Sequence, residues 1–208
     1  MNRFLHVSSS PRGAASESLR IAAAFTETFQ HCHPDVPMEH WDLWDRSLPD
    51  FEVGARAKMT VFADGEPSGA EAVAWAAARR AFERFDAADR LLFSVPMWNA
   101  GIPYVLKQFI DVISQPGWIF GVDPQTGYRH LLADRGKRVA VIYTSAVWAP
   151  GLGPEFGANF QSTYFTDWLR WAGLTDIREI GYHPTLTGDR ETVRQVAEAT
   201  ARDLAKTF

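Results

Sequence analysis

The stretch VSSSPRGAASES, Val7 to Ser18, sets five serines, one proline and one glycine directly behind a short apolar run. That run, Phe4 to Val7, has the length and the aromatic and β-branched content of a buried strand, and the residues from about Ser16 onward read as a helix. The serines therefore occupy a strand-to-helix turn. Ser16 suits an N-cap, and the first amides of the helix behind it have no intrahelical acceptors. They can face an anion together with the hydroxyls of Ser10, Ser16 and Ser18. The same residues also suit a tight capped turn without a ligand. The turn alone leaves both readings open, and its surroundings must decide.

Moving outward, SLRIAAAFTETF carries a helical stripe at Leu19, Ala22, Ala23, Thr26 and Phe29, closed by the prolines of HCHPDVP. MEHWDLW reads as a second strand of two ambiguous faces, Met38, His40, Asp42 and Trp44 against Glu39, Trp41 and Leu43. Residues 49 to 69 lack clear periodicity and suggest a helical turn or two around Val53 to Val61. The long helix AEAVAWAAARRAFERFDAA follows, then RLLFSVP, Arg90 to Pro96, the most continuously apolar strand of the chain. IPYVLKQFIDVIS begins a helix at Pro103 and appends apolar residues around most of its circumference. GWIFGVDPQTGYRHLL reads as a hairpin-like excursion turning at Asp123, Pro124 and Gly127. KRVAVIYTS is another buried strand, and a helix, the strand DIREIGYH and a last helix from about Arg190 to Lys206 complete the series. Five strands alternating with five helices predict an α/β fold, a doubly wound five-stranded parallel sheet with helices on both faces. No repeat, low-complexity tract or linker is visible, so residues 1–208 read as a single domain. Ligands of such sheets collect at the carboxyl ends of the strands.

Composition bounds the function. At 208 residues the chain can bury a full core, and 46% hydrophobic content marks it as globular. A net charge of -4 offers no basic excess for nucleic acid or an anionic membrane. The lone Cys32 rules out an internal disulfide and suits a reducing cytoplasm. Neither a cleavable leader nor a bilayer-spanning apolar stretch is legible. The expectation is a cytoplasmic protein.

Three strand ends carry small or polar residues: SSSPRGAASES, PMWNAGIP and TSAVWAPG. In the doubly wound topology they converge on one crevice. The first loop has neither the G-x-G-x-x-G of dinucleotide sites nor the GK[ST] of nucleoside triphosphatases, and a cradle of hydroxyls and amides suits the single phosphate of a mononucleotide. With SSSPRGAASES, with PMWNAGIPYVLKQFID at Pro96 to Asp111 and with this order of elements, the chain resembles the FMN-dependent NADH-azoreductase and NAD(P)H quinone reductase family of flavodoxin-like proteins. The middle motif is the most specific.

The resemblance implies a homodimer that binds FMN at its interface and passes hydride from NADH or NADPH to the flavin and then to a quinone or azo acceptor, by ping-pong kinetics. Carried over by position, Ser10, Ser16, Glu17 and Ser18 would hold the flavin phosphate, Glu17 through its backbone N–H with its side chain turned to solvent. Met97, Trp98, Asn99 and Ala100 would line the ring, with the Asn99 amide offering donor and acceptor. Thr144 to Trp148, TSAVW, stand where the family usually has T-S-R-G-G, and Ser145, Ala146, Val147 and Trp148 of this loop would contact the flavin. Val147 is a poor substitute wherever that loop needs positive φ. Ala100 replaces a common aromatic, and with Trp148 it should reshape the substrate face.

No side chain is required as a catalyst, because a flavin carries the chemistry. His183 in GYHP is a candidate proton donor. Trp118, Trp148 and Trp168 are candidates for the neighbourhood of the ring. His31, Cys32, His33 and His40 fit no common zinc spacing and read as a solvated helix end. Lys107 and Asp111, four apart on one helix, form a pair. Tyr104, Phe109 and Val112 point to different sides of their helix, more than one sheet face covers, which favours a symmetric dimer. The alternative from another class is a non-enzymatic electron carrier of the flavodoxin type, although such carriers are usually much more acidic.

Overall fold

The computed structural model describes residues 3–208. Strands β1 (Phe4–Ser8), β2 (Met38–Asp42), β3 (Arg90–Pro96), β6 (Arg138–Thr144) and β7 (Asp176–Tyr182) form one sheet in the order β2-β1-β3-β6-β7. Every pairing in it is parallel. Helices α1 (Glu17–Cys32), α2 (Phe51–Phe62), α3 (Gly69–Asp86), α4 (Tyr104–Ile113), α5 (Phe160–Ala172) and α6 (Arg190–Ala205) supply the crossovers. The short β4 (Phe120–Asp123) and β5 (Gly127–His130) pair antiparallel as a separate hairpin. Its turn is held by Asp123, whose Oδ1 accepts from the Gln125 and Thr126 amides at 2.8 and 2.9 Å.

Strand side chains alternate with period two, so the central strands feed two cores. Leu5, Val7, Leu91, Phe93, Val139 and Val141 pack with Trp41 against Phe85, Phe109 and Phe165 of α3, α4 and α5. Phe4, Leu92, Ala140 and Ile142 pack on the other side against Ile21, Phe25 and Phe29 of α1 and the alanines of α6. Trp41 and Leu43 resolve the ambiguity of β2 by joining the first core.

Three sequence expectations need correction. The segment around Val53 to Val61 is a full 12-residue helix, capped by the Asp50 carboxylate accepting from the Glu52 N–H. It buries only Gly54 and Ala57, leaving Met59 exposed, so no apolar stripe announces it. The buried stripe of α1 runs through Ile21, Ala22, Phe25 and Phe29, while Ala23 is exposed and Leu19 and Thr26 are half-buried. On α4, Phe109 and Val112 both lie in the core, and of the three residues Tyr104 alone is exposed. The flanking helices cover what the sheet alone would not, so the circumference of α4 is no argument for a dimer.

Candidate functional site

The chain leaves β1 toward β2 on one side and later enters β3 on the other side of β1. This reversal makes the carboxyl edge between β1 and β3 the topological switch point, where open α/β sheets bind ligands. Three loops meet there. Ser9 donates its N–H to the Ser94 carbonyl at 3.1 Å and its hydroxyl to the same oxygen at 2.9 Å. The Met97 N–H reaches the Thr144 carbonyl at 2.7 Å, and the Phe160 N–H reaches the Ala100 carbonyl at 2.9 Å. Thr185 and Leu186 donate to the carbonyls of Ser145 and Ala146, which ties the loop after β6 to the segment after β7. The three predicted groups of residues therefore sit on adjacent strand ends of one edge.

In the first loop Ser10, Ser16 and Ser18 are all buried. Ser16 caps α1 by accepting from the Leu19 N–H at 3.3 Å, and its Oγ lies 3.1 Å from that of Ser18. Among the described residues the amides of Ser10, Glu17 and Ser18 have no acceptor. Buried hydroxyls beside unpartnered amides at a helix N-terminus form a donor set for a phosphate ester. Glu17 departs from expectation: its side chain is turned not to solvent but toward Tyr182 and α6. There it shares a polar cavity of about 300 Å³ with Asp189, Arg190, Glu191 and Arg194. Its Oε2 is buried with no hydrogen-bond partner. Burial, followed by the Glu17 charge, raises the pKa of Tyr182 above the ordinary phenol value.

In the second loop Trp98 and Gly101 exchange two backbone hydrogen bonds, at 2.9 and 3.0 Å. They close a turn whose central residues, Asn99 and Ala100, have φ of 49° and 67°. Asn tolerates the left-handed region, whereas Ala is strained in it. Trp98 is exposed, and Met97 and Ala100 are half-buried.

In the third loop the Ser145 hydroxyl donates to the Trp148 carbonyl, closing a turn that leaves Ala146 and Val147 exposed. The only described non-glycine residues with positive φ are Arg46, Asp64, Asn99 and Ala100, so Val147 is not in the conformation that would have strained it. Trp148 packs edge-on to His183, with centroids 5.3 Å apart and planes at 76°. The His183 ring also lies over the backbone of Gly181, where an added Cβ would meet Nε2 at 2.7 Å. Its Nδ1 is buried without a partner, and burial lowers its pKa, which favours the neutral imidazole and disfavours an acid role at neutral pH.

Of the other candidates, Trp118 and Trp168 are core residues and stand away from the crevice. Trp118 packs on Trp75 and Phe82, and Trp168 packs on Phe165 and donates to Ser114 Oγ. Lys107 and Asp111 form the anticipated pair at 2.6 Å. Among the described residues no His, Cys, Asp and Glu cluster could hold a metal ion, and no helix is long and apolar enough to cross a membrane. The reading by spacing missed Trp44 and Tyr104, whose rings meet edge-on at 5.2 Å. Trp44 also lies near Trp98, at 6.4 Å. The signal available was the polar-aromatic end of MEHWDLW, at a strand terminus adjoining the serine loop.

A family model described as a flavodoxin-like fold matches residues 2–207. An FMN-dependent NADH:quinone oxidoreductase of Ruegeria pomeroyi is 42% identical over 190 residues, 91% of this chain and 92% of its own. One from Desulfotalea psychrophila is 39% identical over 209 residues, 99% and 97% of the two chains. The crystal structure of an azoreductase from Bacillus anthracis shares the fold, with a TM-score of 0.89 at 24% identity over the whole of both chains.

Proposed function

The chain belongs to the flavodoxin-like fold family, and on that premise we propose that it is an FMN-dependent NADH:quinone oxidoreductase with its flavin at the switch point. Its relatives carry that name at 42% and 39% identity over nearly their full lengths, which speaks for an enzyme rather than an electron carrier. The observation that carries the reading is the first loop, where the buried hydroxyls of Ser16 and Ser18 meet at the open amides of α1 and the buried Ser10, its amide also open, precedes them in the same loop.

These groups, with the amides of Glu17 and Ser18, would hold the phosphate. Met97, Trp98, Asn99 and Ala100 would wall one part of the ring, and Ser145, Ala146, Val147 and Trp148 another. The Asn99 carboxamide offers a donor and an acceptor to a polar ring edge. FMN when bound accepts a hydride from a nicotinamide and delivers it to a quinone or azo acceptor, chemistry that no side chain supplies. The work of the chain is to bind, orient and shield. Beside the crevice the rings of Tyr104 and Phe160 are exposed, at 65% and 64%, with Trp98 at 44%. Covering these rings favours a symmetric homodimer that closes over the crevice as the working form, and the single cysteine suits a cytoplasmic location.

The test is initial-rate kinetics with NADH and a benzoquinone on protein whose extracted flavin has been identified. Parallel double-reciprocal lines and FMN in the extract are expected. Intersecting lines, FAD in the extract, or NADH that fails to bleach the yellow colour anaerobically would overturn the proposal. Sedimentation at micromolar concentration tests the dimer, and a monomer there would refute it.

A further inference from the structure

We infer that Trp44 is a positioning residue for the anion cradle: its indole N–H fixes the Ser9–Ser10 peptide so that the Ser10 amide is presented to the cofactor phosphate. The inference rests on the flavin reading above. Trp44 lies two residues beyond β2, and its Nε1–H donates to the Ser9 carbonyl at 3.0 Å. The other polar groups of Ser9 are both tied to the Ser94 carbonyl. The Ser9–Ser10 peptide is trans, so its N–H points opposite to its C=O. Holding the carbonyl against Trp44 therefore turns the Ser10 N–H away from Trp44.

That amide has no acceptor among the described residues, although Ser10 is only 4% exposed. Orphaned buried amides are rare in folded proteins, and one placed in a hydroxyl-rich loop beside a helix N-terminus points to a ligand oxygen. The indole is itself held from two sides. The backbone N–H of Trp44 donates to Asp42 Oδ1 at 3.1 Å, and the same oxygen accepts from the Ser8 hydroxyl at 3.4 Å. Its ring is wedged against Tyr104 at the start of α4, planes at 83°. Packing alone would be met by any large apolar residue. The indole adds a donor that reaches Ser9.

The discriminating experiment compares FMN with riboflavin, which carries the same ring without the phosphate. Trp44→Phe keeps an aromatic ring and loses the donor, and Trp44→His keeps a ring N–H on a smaller ring. By fluorescence titration, Trp44→Phe is expected to bind FMN about five- to tenfold more weakly, the usual effect of losing a neutral hydrogen bond, with riboflavin affinity changed less than about twofold. Trp44→His should recover part of the loss. Unchanged FMN affinity in Trp44→Phe, or equal weakening for both flavins, overturns the inference. Should Trp44→Phe not fold, Trp44→Met, which also lacks the donor, decides: an FMN-to-riboflavin affinity ratio lowered about five- to tenfold supports the positioning role and a ratio equal to the parent's overturns it. A parent protein that binds neither flavin fails the flavin reading instead, so the two failures are distinguishable.

Discussion

Glu17 places a carboxylate on the very residue whose amide belongs to the anion cradle, which makes Glu17→Gln the most informative single substitution. The change is nearly isosteric and removes one negative charge whose Oε2 is buried without a partner beside Tyr182. A glutamate side chain directed away from its own N–H carries its charge roughly 8 Å from an oxyanion held by that N–H. At an effective dielectric of 20 to 40, the repulsion is about 1 to 2 kcal/mol per unit charge. The cavity around Glu17 is polar, with Arg190 and Arg194 set against Asp189 and Glu191, so the higher dielectric and the lower figure are appropriate. Against it stands the favourable effect of a carboxylate in the first turn of α1, about 0.3 to 1 kcal/mol in the free protein. An anion bound at the same helix end takes over that role in the complex. The balance predicts that Glu17→Gln binds FMN about fivefold more tightly, leaves riboflavin unchanged and costs a few tenths of a kcal/mol of apo stability. Flavin fluorescence titration reads the affinities, and thermal melting reads the stability. Weaker FMN binding, or the same gain for riboflavin, would refute the reasoning and show that the carboxylate orders the loop rather than opposing the anion.

His6 is buried under α1, with Nε2 2.8 Å from Ser94 Oγ and its ring stacked on His40 at 4.7 Å. Burial first and the His40 charge second lower its pKa to about 3 from the ordinary 6.5. The unfolded chain therefore binds the extra proton first: the contribution to stability is complete above pH 6.5 and is lost as pH falls toward 3, by at most about 1.4 kcal/mol per pH unit. Urea midpoints taken from pH 7.5 down to 5 should fall less steeply in His6→Gln than in the parent, and equal slopes would contradict the account. At Ala100, φ of 67° strains a residue with a Cβ. Ala100→Gly should relieve about 1 to 2 kcal/mol and return about half to unfolded-state entropy, raising the melting temperature by about 1 to 3 °C. A lower melting temperature would mean that the methyl packs to more advantage than the turn loses.

What the sequence determined by itself is the part governed by local chemistry and period. Continuous apolar runs such as RLLFSVP and KRVAVIYTS could only be strands buried on both faces, and such strands require parallel pairing and crossover helices. The serine turn and PMWNAGIP were legible because strand ends, caps and turns depend on a few neighbouring residues. Where burial is decided by distant partners, the pattern misled. Helix α2 packs through Gly54 and Ala57 and shows no stripe, while Phe109 and Val112 looked mutually inconsistent until α2, α3 and α5 were seen around α4. Only the tertiary structure decided where Glu17 points, because the cavity that receives it is built by β7 and α6 from the far end of the chain. It also decided that Trp44, rather than Trp118 or Trp168, stands at the crevice. A tryptophan has the same letter in a core and beside a loop. Its surroundings come from strands that meet only when the sheet is assembled, and hydrogen bonds such as Trp44 to Ser9 join residues 35 positions apart.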